Sequence, residues 1–152
     1  MDKTNKRFRA HAGGFRWQGV EVNAYKEDGG APFKDISRQT LFKHESLAGE
    51  LRYFEIAPGG YSTLERHRHV HAVMILRGSG RCLVGEELRE LAALDLVSIP
   101  PLSWHQFRAG PDEPLGFLCL VDRERDRPQL PDADDLAALE ARPEIAAFLR
   151  SG

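Results

Sequence analysis

The chain has no apolar run long enough to cross a bilayer. Its longest apolar stretches, such as Ala72–Leu76 and Leu115–Val121, fall well short of the roughly 20 residues that a spanning helix needs. Cysteine is scarce: Cys82 and Cys119 each lie in an apolar setting with no second cysteine beside them. That usage suits two buried, reduced thiols in a cytoplasmic protein. The charged start Met1–Arg7 is followed by no apolar segment, so no secretory signal is expected. Nor does one sign of charge dominate. Lys+Arg number 21 and Asp+Glu 23, for a formal net charge of -2, whereas proteins that grip phosphate backbones are usually basic. Nucleic acid and membrane are therefore not expected partners.

What is present is ordinary globular composition, 41% hydrophobic and 29% charged over 152 residues, enough for one domain with a real core. Residues 1–36 are rich in Gly, Lys and Arg, with Gly13-Gly14 and Asp28-Gly29-Gly30 as breakers. They read as an irregular N-terminal arm with one or two short strands around Val20–Tyr25. Residues 37–127 read as a barrel. Short runs of β-branched, aromatic and aliphatic residues recur there at Gln39–Lys43, Leu51–Ala57, Thr63–His67, His71–Arg77, Arg81–Val84, Glu87–Leu91, Asp95–Ile99, Gln106–Ala109 and Leu115–Val121. Turn signals such as Pro58-Gly59-Gly60 and Gly78-Ser79-Gly80 separate them. This spacing predicts an all-β antiparallel sandwich or barrel. Residues 128–152 read as a helical appendage. Acidic Asp132–Asp135 opens one short helix and Pro143 a second, both residue types favoured in a first turn.

Three of the six histidines, His67, His69 and His71, lie within five residues. Alternate positions on a strand share a face, and Glu65 has the same parity. Buried without partners, such a set would be costly. A divalent cation relieves that cost, because neutral imidazole and carboxylate are its natural ligands. A fourth imidazole, His105, follows the proline turn Pro100-Pro101 at the mouth of a later strand.

These residues resemble the cupin superfamily, small β-barrels that include germins and many metal-dependent dioxygenases. The family's first motif, G(X)5HXH(X)3,4E(X)6G, fits the spacing of Gly59, Glu65, His67, His71 and Gly78 without a gap. Glu65 stands where the first His is expected and His71 where Glu is expected. In the second motif, G(X)5PXG(X)2H(X)3N, Pro100 and His105 match, while Leu94, Leu102 and Ala109 replace the two glycines and the asparagine. The resemblance covers about residues 50–121. It implies a cupin-type double-stranded β-helix, or jelly roll, with short C-terminal helices.

Two ligand registers follow from it. One gives Glu65, His67, His71 and His105, with Arg68-His69-Val70 as the turn between strands. The other pairs His67 with His69 and keeps His71, which leaves Val70 alone to reverse the chain. One residue is short for a hairpin, so the first register is preferred. Either set suits one divalent transition ion: Fe, Mn, Zn or Ni. The resemblance implies a dioxygenase-like oxidoreductase acting on a small organic substrate, in a barrel that often dimerises. A metal-dependent lyase or isomerase, with Tyr53 or His69 as a second acid–base group, is the alternative. A non-catalytic small-molecule-binding protein is another. Strand parity places Val73, Ile75 and Phe107 on an apolar inner wall, with Tyr53 and Cys119 beside them. Such a wall suits a small organic substrate better than a phosphosugar. Arg52, Arg66 and Arg77 are candidate rim groups for an anion, and Trp104 a candidate for stacking or packing.

Overall fold

The computed structural model describes residues 7–25 and 34–151; the expected breaker Asp28-Gly29-Gly30 and the charged start lie outside them. The strands are β1 (Asn23–Ala24), β2 (Lys34–Phe42), β3 (Gly49–Tyr61), β4 (His71–Arg77), β5 (Gly80–Val84), β6 (Glu87–Leu91), β7 (Leu96–Ile99), β8 (His105–Ala109) and β9 (Leu115–Asp122). Two helices follow, α1 (Ala133–Glu140) and α2 (Pro143–Arg150). Every pairing between these strands is antiparallel. They form one curled sheet in the order β6-β5-β8-β3-β9-β4-β7, with β2 on the other edge of β3 and β1 on β2. Among the described residues no helix is long and apolar enough to cross a membrane.

Alternation decides which side chains enter the interior. On β4, Val73 and Ile75 are buried while Met74 is exposed; on β9, Leu115, Phe117, Cys119 and Val121 are buried while Leu120 is exposed. Phe117 stacks between Phe54 of β3 and Phe107 of β8, with ring centroids 5.7 and 4.9 Å away. Each such burial contributes about 1.5–3 kcal/mol. The same alternation sends Tyr53 to the outer face. There the arm covers it, with the Phe15 ring stacked 5.7 Å away and the Phe15 carbonyl accepting from Gln39.

One expected strand is missing. Thr63–His67 leaves the sheet after Tyr61 and keeps only single bridges, Glu65 to His105 and Arg66 to Gln129. Leu64 is drawn instead into a second apolar cluster made by Leu83, Leu139, Ile145 and Phe148, which seats both helices on the outside of β5. Trp104 belongs to that cluster too, under the Arg66 guanidinium 4.4 Å from its ring. Asp132 caps α1 and Asp135 closes a reciprocal capping box, which satisfies N–H groups that the helix start leaves open.

Candidate metal centre

Four backbone facts bring the histidines together. Glu65 and His105 lie directly opposite each other and exchange both backbone hydrogen bonds, at 3.2 and 3.0 Å. His67 follows two residues after Glu65, and its carbonyl accepts from the N–H of Leu102 at 2.7 Å. His71 opens β4, on the face that continues as buried Val73 and Ile75. Between His67 and His71 the chain reverses at Arg68–His69, where the Asp126 carboxylate accepts from both backbone N–H groups, at 2.8 and 3.0 Å.

The structure thus gathers Glu65, His67, His71 and His105 at one end of the barrel interior. One ligand atom from each of Glu65, His67 and His105 lies within 4.8 Å of the others, and the same holds for His67, His69 and His71. His67 Nε2 is 2.8 Å from His71 Nε2, and His105 Nε2 is 4.0 Å from Glu65 Oε1. The second distance exceeds a hydrogen bond. It lies inside the roughly 4.2 Å that can separate two donors sharing an ion at about 2.1 Å.

The outer nitrogens fix the inner ones. His67 Nδ1 lies 2.8 Å from the His69 carbonyl and His105 Nδ1 3.0 Å from the Ser103 carbonyl. A carbonyl only accepts, so both Nδ1 atoms carry the proton and both Nε2 atoms present a lone pair. His71 Nδ1 is 3.2 Å from the Cys119 sulfur, and a thiol can serve either tautomer. With the proton on Nδ1, His71 Nε2 adds a third lone pair to the cluster. Three imidazole lone pairs and a carboxylate in a buried pocket are a donor set that fits a divalent ion.

Burial also keeps these rings neutral. It lowers the pKa of His105 to about 4, and it lowers those of His67 and His71, where the neighbouring imidazoles add to the effect. Asp126 is held well below the usual carboxylate range, first by the N–H of Arg68 and then by the His69 side chain. His69 itself stacks on His67, with centroids 3.7 Å apart and planes 4° from parallel, while its Nδ1 donates to Asp126 at 2.8 Å.

The cavity beside the cluster, about 700 Å³, is lined by His67, His69 and His71 and also by Tyr25, Arg38, Arg52, Arg125 and Arg127. The inner wall carries Val73 and Phe107, as parity predicts, and Cys119 beside them. Tyr53 is not on it, because it lies under the arm with its hydroxyl donating to Glu55 at 2.9 Å. Arg77 is engaged with Glu55 at 3.5 Å on that same outer side. The expectation of a wall poor in charge is therefore corrected at the outer end. Arg52 points inward with Phe54, Arg38 comes from the adjacent β2, and the segment after β9 adds Arg125, Asp126 and Arg127. Nothing local announces that last contribution: 122–127 reads as a solvated run of alternating charge until the pairing of β9 with β4 brings it over the turn.

The fold and site are those of a cupin, and the chain belongs to that family: the cupin domain pattern matches residues 52–121. A relative from Rhodospirillum rubrum named 1-methylthio-D-xylulose 5-phosphate methylsulfurylase is 58% identical over 142 residues, covering 93% of this chain and 91% of its own. A crystal structure of a cupin 2 conserved barrel domain protein from Rhodopseudomonas palustris superposes with a TM-score of 0.88 at 60% identity, covering 93% of this chain and 97% of that one. A cupin-2 domain from Rhodospirillum rubrum gives 0.85 at 55% identity, covering 96% and 98%.

Proposed function

We propose that this cupin holds one divalent transition ion on Glu65, His67, His71 and His105 and acts at the carbon–sulfur bond of a 1-methylthio-pentulose 5-phosphate, the substrate type named for its Rhodospirillum relative. The observation that carries this reading is 58% identity across almost the whole chain. We prefer it to the dioxygenase-like oxidation implied by the family resemblance. That resemblance rests on two motifs, whereas the relative aligns over 93% of the chain.

The ligand set is supported by ring geometry. A lone pair lies in the plane of its imidazole, and the planes of His67 and His69 are 4° from parallel at 3.7 Å. One ion fits poorly in both planes, which favours His67 with His71 over His67 with His69. An ion in this site supplies a Lewis acid for the sugar carbonyl next to the carbon–sulfur bond. The carbonyl partners of His67 and His105 hold those rings in one tautomer. The apolar wall of Val73, Phe107 and Phe117 keeps water from the inner side. Asp126 orients His69 at the cavity wall through Nδ1, which leaves Nε2 as the ring atom to take or return a proton at the carbon beside the carbonyl.

The test loads the full chain in turn with Mn(II), Fe(II), Ni(II) or Zn(II) and adds 1-methylthio-D-xylulose 5-phosphate with a small thiol, whose sulfur takes the methylthio group as a mixed disulfide while the sugar carbon takes a proton in its place. Proton NMR of the S-methyl signal reads the outcome. Loss of the methylthio group from the sugar, dependent on metal and abolished in His67→Ala, is expected. No loss with any of the four ions in protein shown by elemental analysis to be loaded would overturn the reading.

A further inference from the structure

The outer end of the cavity carries charge that the metal site does not use. Arg52, on β3, is 5% exposed. Arg38, on the neighbouring β2, sits one diagonal step away, because Arg38 pairs with Phe54 and Thr40 with Arg52. Diagonal neighbours of this kind are within reach of each other's long side chains. Each guanidinium rests on a ring, Arg38 5.7 Å from the centroid of Tyr25 and Arg52 5.0 Å from that of Phe54. Tyr25 in turn packs edge-on against Phe54 at 5.1 Å. Aromatic faces hold a guanidinium in place while leaving its N–H edge for an acceptor. Among the described residues neither arginine forms an ion pair, and the Nε of each is buried without a hydrogen-bond partner.

A buried cation without an ion pair is costly; here buried Arg52 and half-buried Arg38 line one cavity, each with a buried Nε that has no hydrogen-bond partner. The acids nearby are already committed. Glu65 belongs to the ligand cluster, and Asp126 accepts from two backbone N–H groups and His69. Arg125 leans on Glu50 at 3.4 Å, so it contributes less free charge, while Arg127 is exposed at the mouth. The surplus is two charges. A carboxylate would answer one of them. A phosphate monoester, with its second pKa near 6 and three acceptor oxygens, answers both at neutral pH, and guanidinium forks match its oxygens in pairs.

We infer that Arg38 and Arg52, backed by Arg125 and Arg127, form the subsite for the phosphate of a phosphorylated substrate. The identity of the ester rests on the function proposed above; the anion site itself rests on the two unpaired arginines. The histidines then take the other end of the same molecule, so the cavity reads a substrate by both ends.

Two measurements test this, the first of them separately from the reaction. Inorganic phosphate is titrated into the full-length protein and the melting temperature followed. Wild type is expected to be stabilised, and Arg38→Gln and Arg52→Gln to lose most of that shift. Arg52 is buried, so if its variant fails to fold, Arg38→Gln at a half-exposed position carries the test. Kinetically, Arg38→Gln should raise KM for 1-methylthio-D-xylulose 5-phosphate at least about tenfold with kcat nearly unchanged, the size expected for a lost charge-assisted hydrogen bond. It should also erase wild-type preference over the unphosphorylated sugar. Unaltered phosphate stabilisation in Arg38→Gln, or equal rises in KM for both sugars, overturns the subsite. If wild type turns over neither sugar, the proposed reaction fails, and the phosphate titration still decides the subsite.

Discussion

The two segments that meet at the histidines reach the same backbone conformation with different residues. Residues 59–78 begin and end on glycine, with Gly59 at φ +74° and Gly78 at φ +79°. Residues 94–109 have leucine where the family has glycine, yet Leu94 sits at φ +75° and Leu102 at φ +58°. Hydrogen bonds between the segments hold both: the N–H of Leu94 donates to Ile75 and that of Leu102 to His67, each at 2.7 Å. Space separates the two cases. A Cβ on Gly78 would stand 1.8 Å from the carbonyl oxygen of Pro114, so only glycine fits. The Leu94 and Leu102 side chains are 73% and 46% exposed, so leucine is tolerated at a conformational cost. The left-handed turn belongs to the architecture, and glycine is required only where a side chain has nowhere to go.

If both segments supply ligands, removing one from either should be equally damaging to metal binding. His67→Ala and His105→Ala are each expected to weaken metal affinity by at least about 1,000-fold, beyond the 10–100-fold typical of losing a supporting partner of a ligand. His69→Ala should keep the metal. Elemental analysis after dialysis reads all three. Full occupancy in His105→Ala would remove the second segment from the site, and loss in His69→Ala comparable to His67→Ala would restore the alternative ligand register.

The steric half of the comparison is sharpened by two alanines. Gly78→Ala forces a backbone clash in a left-handed turn and should destabilise by about 3 kcal/mol or more. Gly59→Ala meets nothing within 4 Å and should cost only about 1 kcal/mol of conformational strain. Similar denaturation midpoints for the two would mean that crowding at Pro114 does not separate them.

Acid tests the buried rings themselves. Above about pH 6.5 neither the folded nor the unfolded metal-free chain holds these imidazole protons. Below it the unfolded chain takes them up while the folded site, with His67, His71 and His105 all lowered, refuses them. Stability therefore falls with falling pH, down to about 4, where His105 also titrates in the folded state. From pH 7 to 5, His105 alone accounts for about 2 kcal/mol of this loss. Chemical denaturation of chelated wild type and His105→Gln across that range measures it. Identical pH dependence in the two would show that His105 is not kept neutral by burial. The same lowering means that protons compete with the metal at lower pH than free histidine would suggest.

How much of this was legible in the sequence varies by region. The strand His71–Arg77 stands where its apolar run puts it, because Val73 and Ile75 bury one face in the core. Period-two spacing groups Glu65, His67 and His71, while His105 joins them only through the resemblance to the second cupin motif, since parity and one tight turn say nothing about a residue on a later strand. The arginine end was legible only in part. Arg52 is a rim candidate from the sequence, whereas Arg38 looks like a solvated strand residue until pairing turns it inward, and Asp126 meets the His69 turn from 57 positions further along the chain. Tyr53 was misplaced for a related reason: parity gives the face of a residue relative to its neighbours, but here the arm buries the outer face as well, so burial did not mean the interior.

The finest test of the two-segment comparison is to give the second segment the glycines that the first one has. A left-handed leucine costs about 1–2 kcal/mol relative to glycine in the same turn. Glycine gives back part of that through the larger conformational freedom of the unfolded chain. The exposed side chain of Leu94 loses little packing on removal, so Leu94→Gly should stabilise the protein by about 0.5–1 kcal/mol. Leu102, more covered than Leu94, should gain less. Thermal melts of both variants in metal-free buffer separate the backbone effect from the ligands. The metal content of Leu102→Gly should stay unchanged, because its N–H can still donate to the His67 carbonyl. A destabilised Leu94→Gly would mean that the leucine side chain contributes more than its turn costs. The left-handed turn would then be paid for by contacts rather than imposed by the hydrogen bond to Ile75.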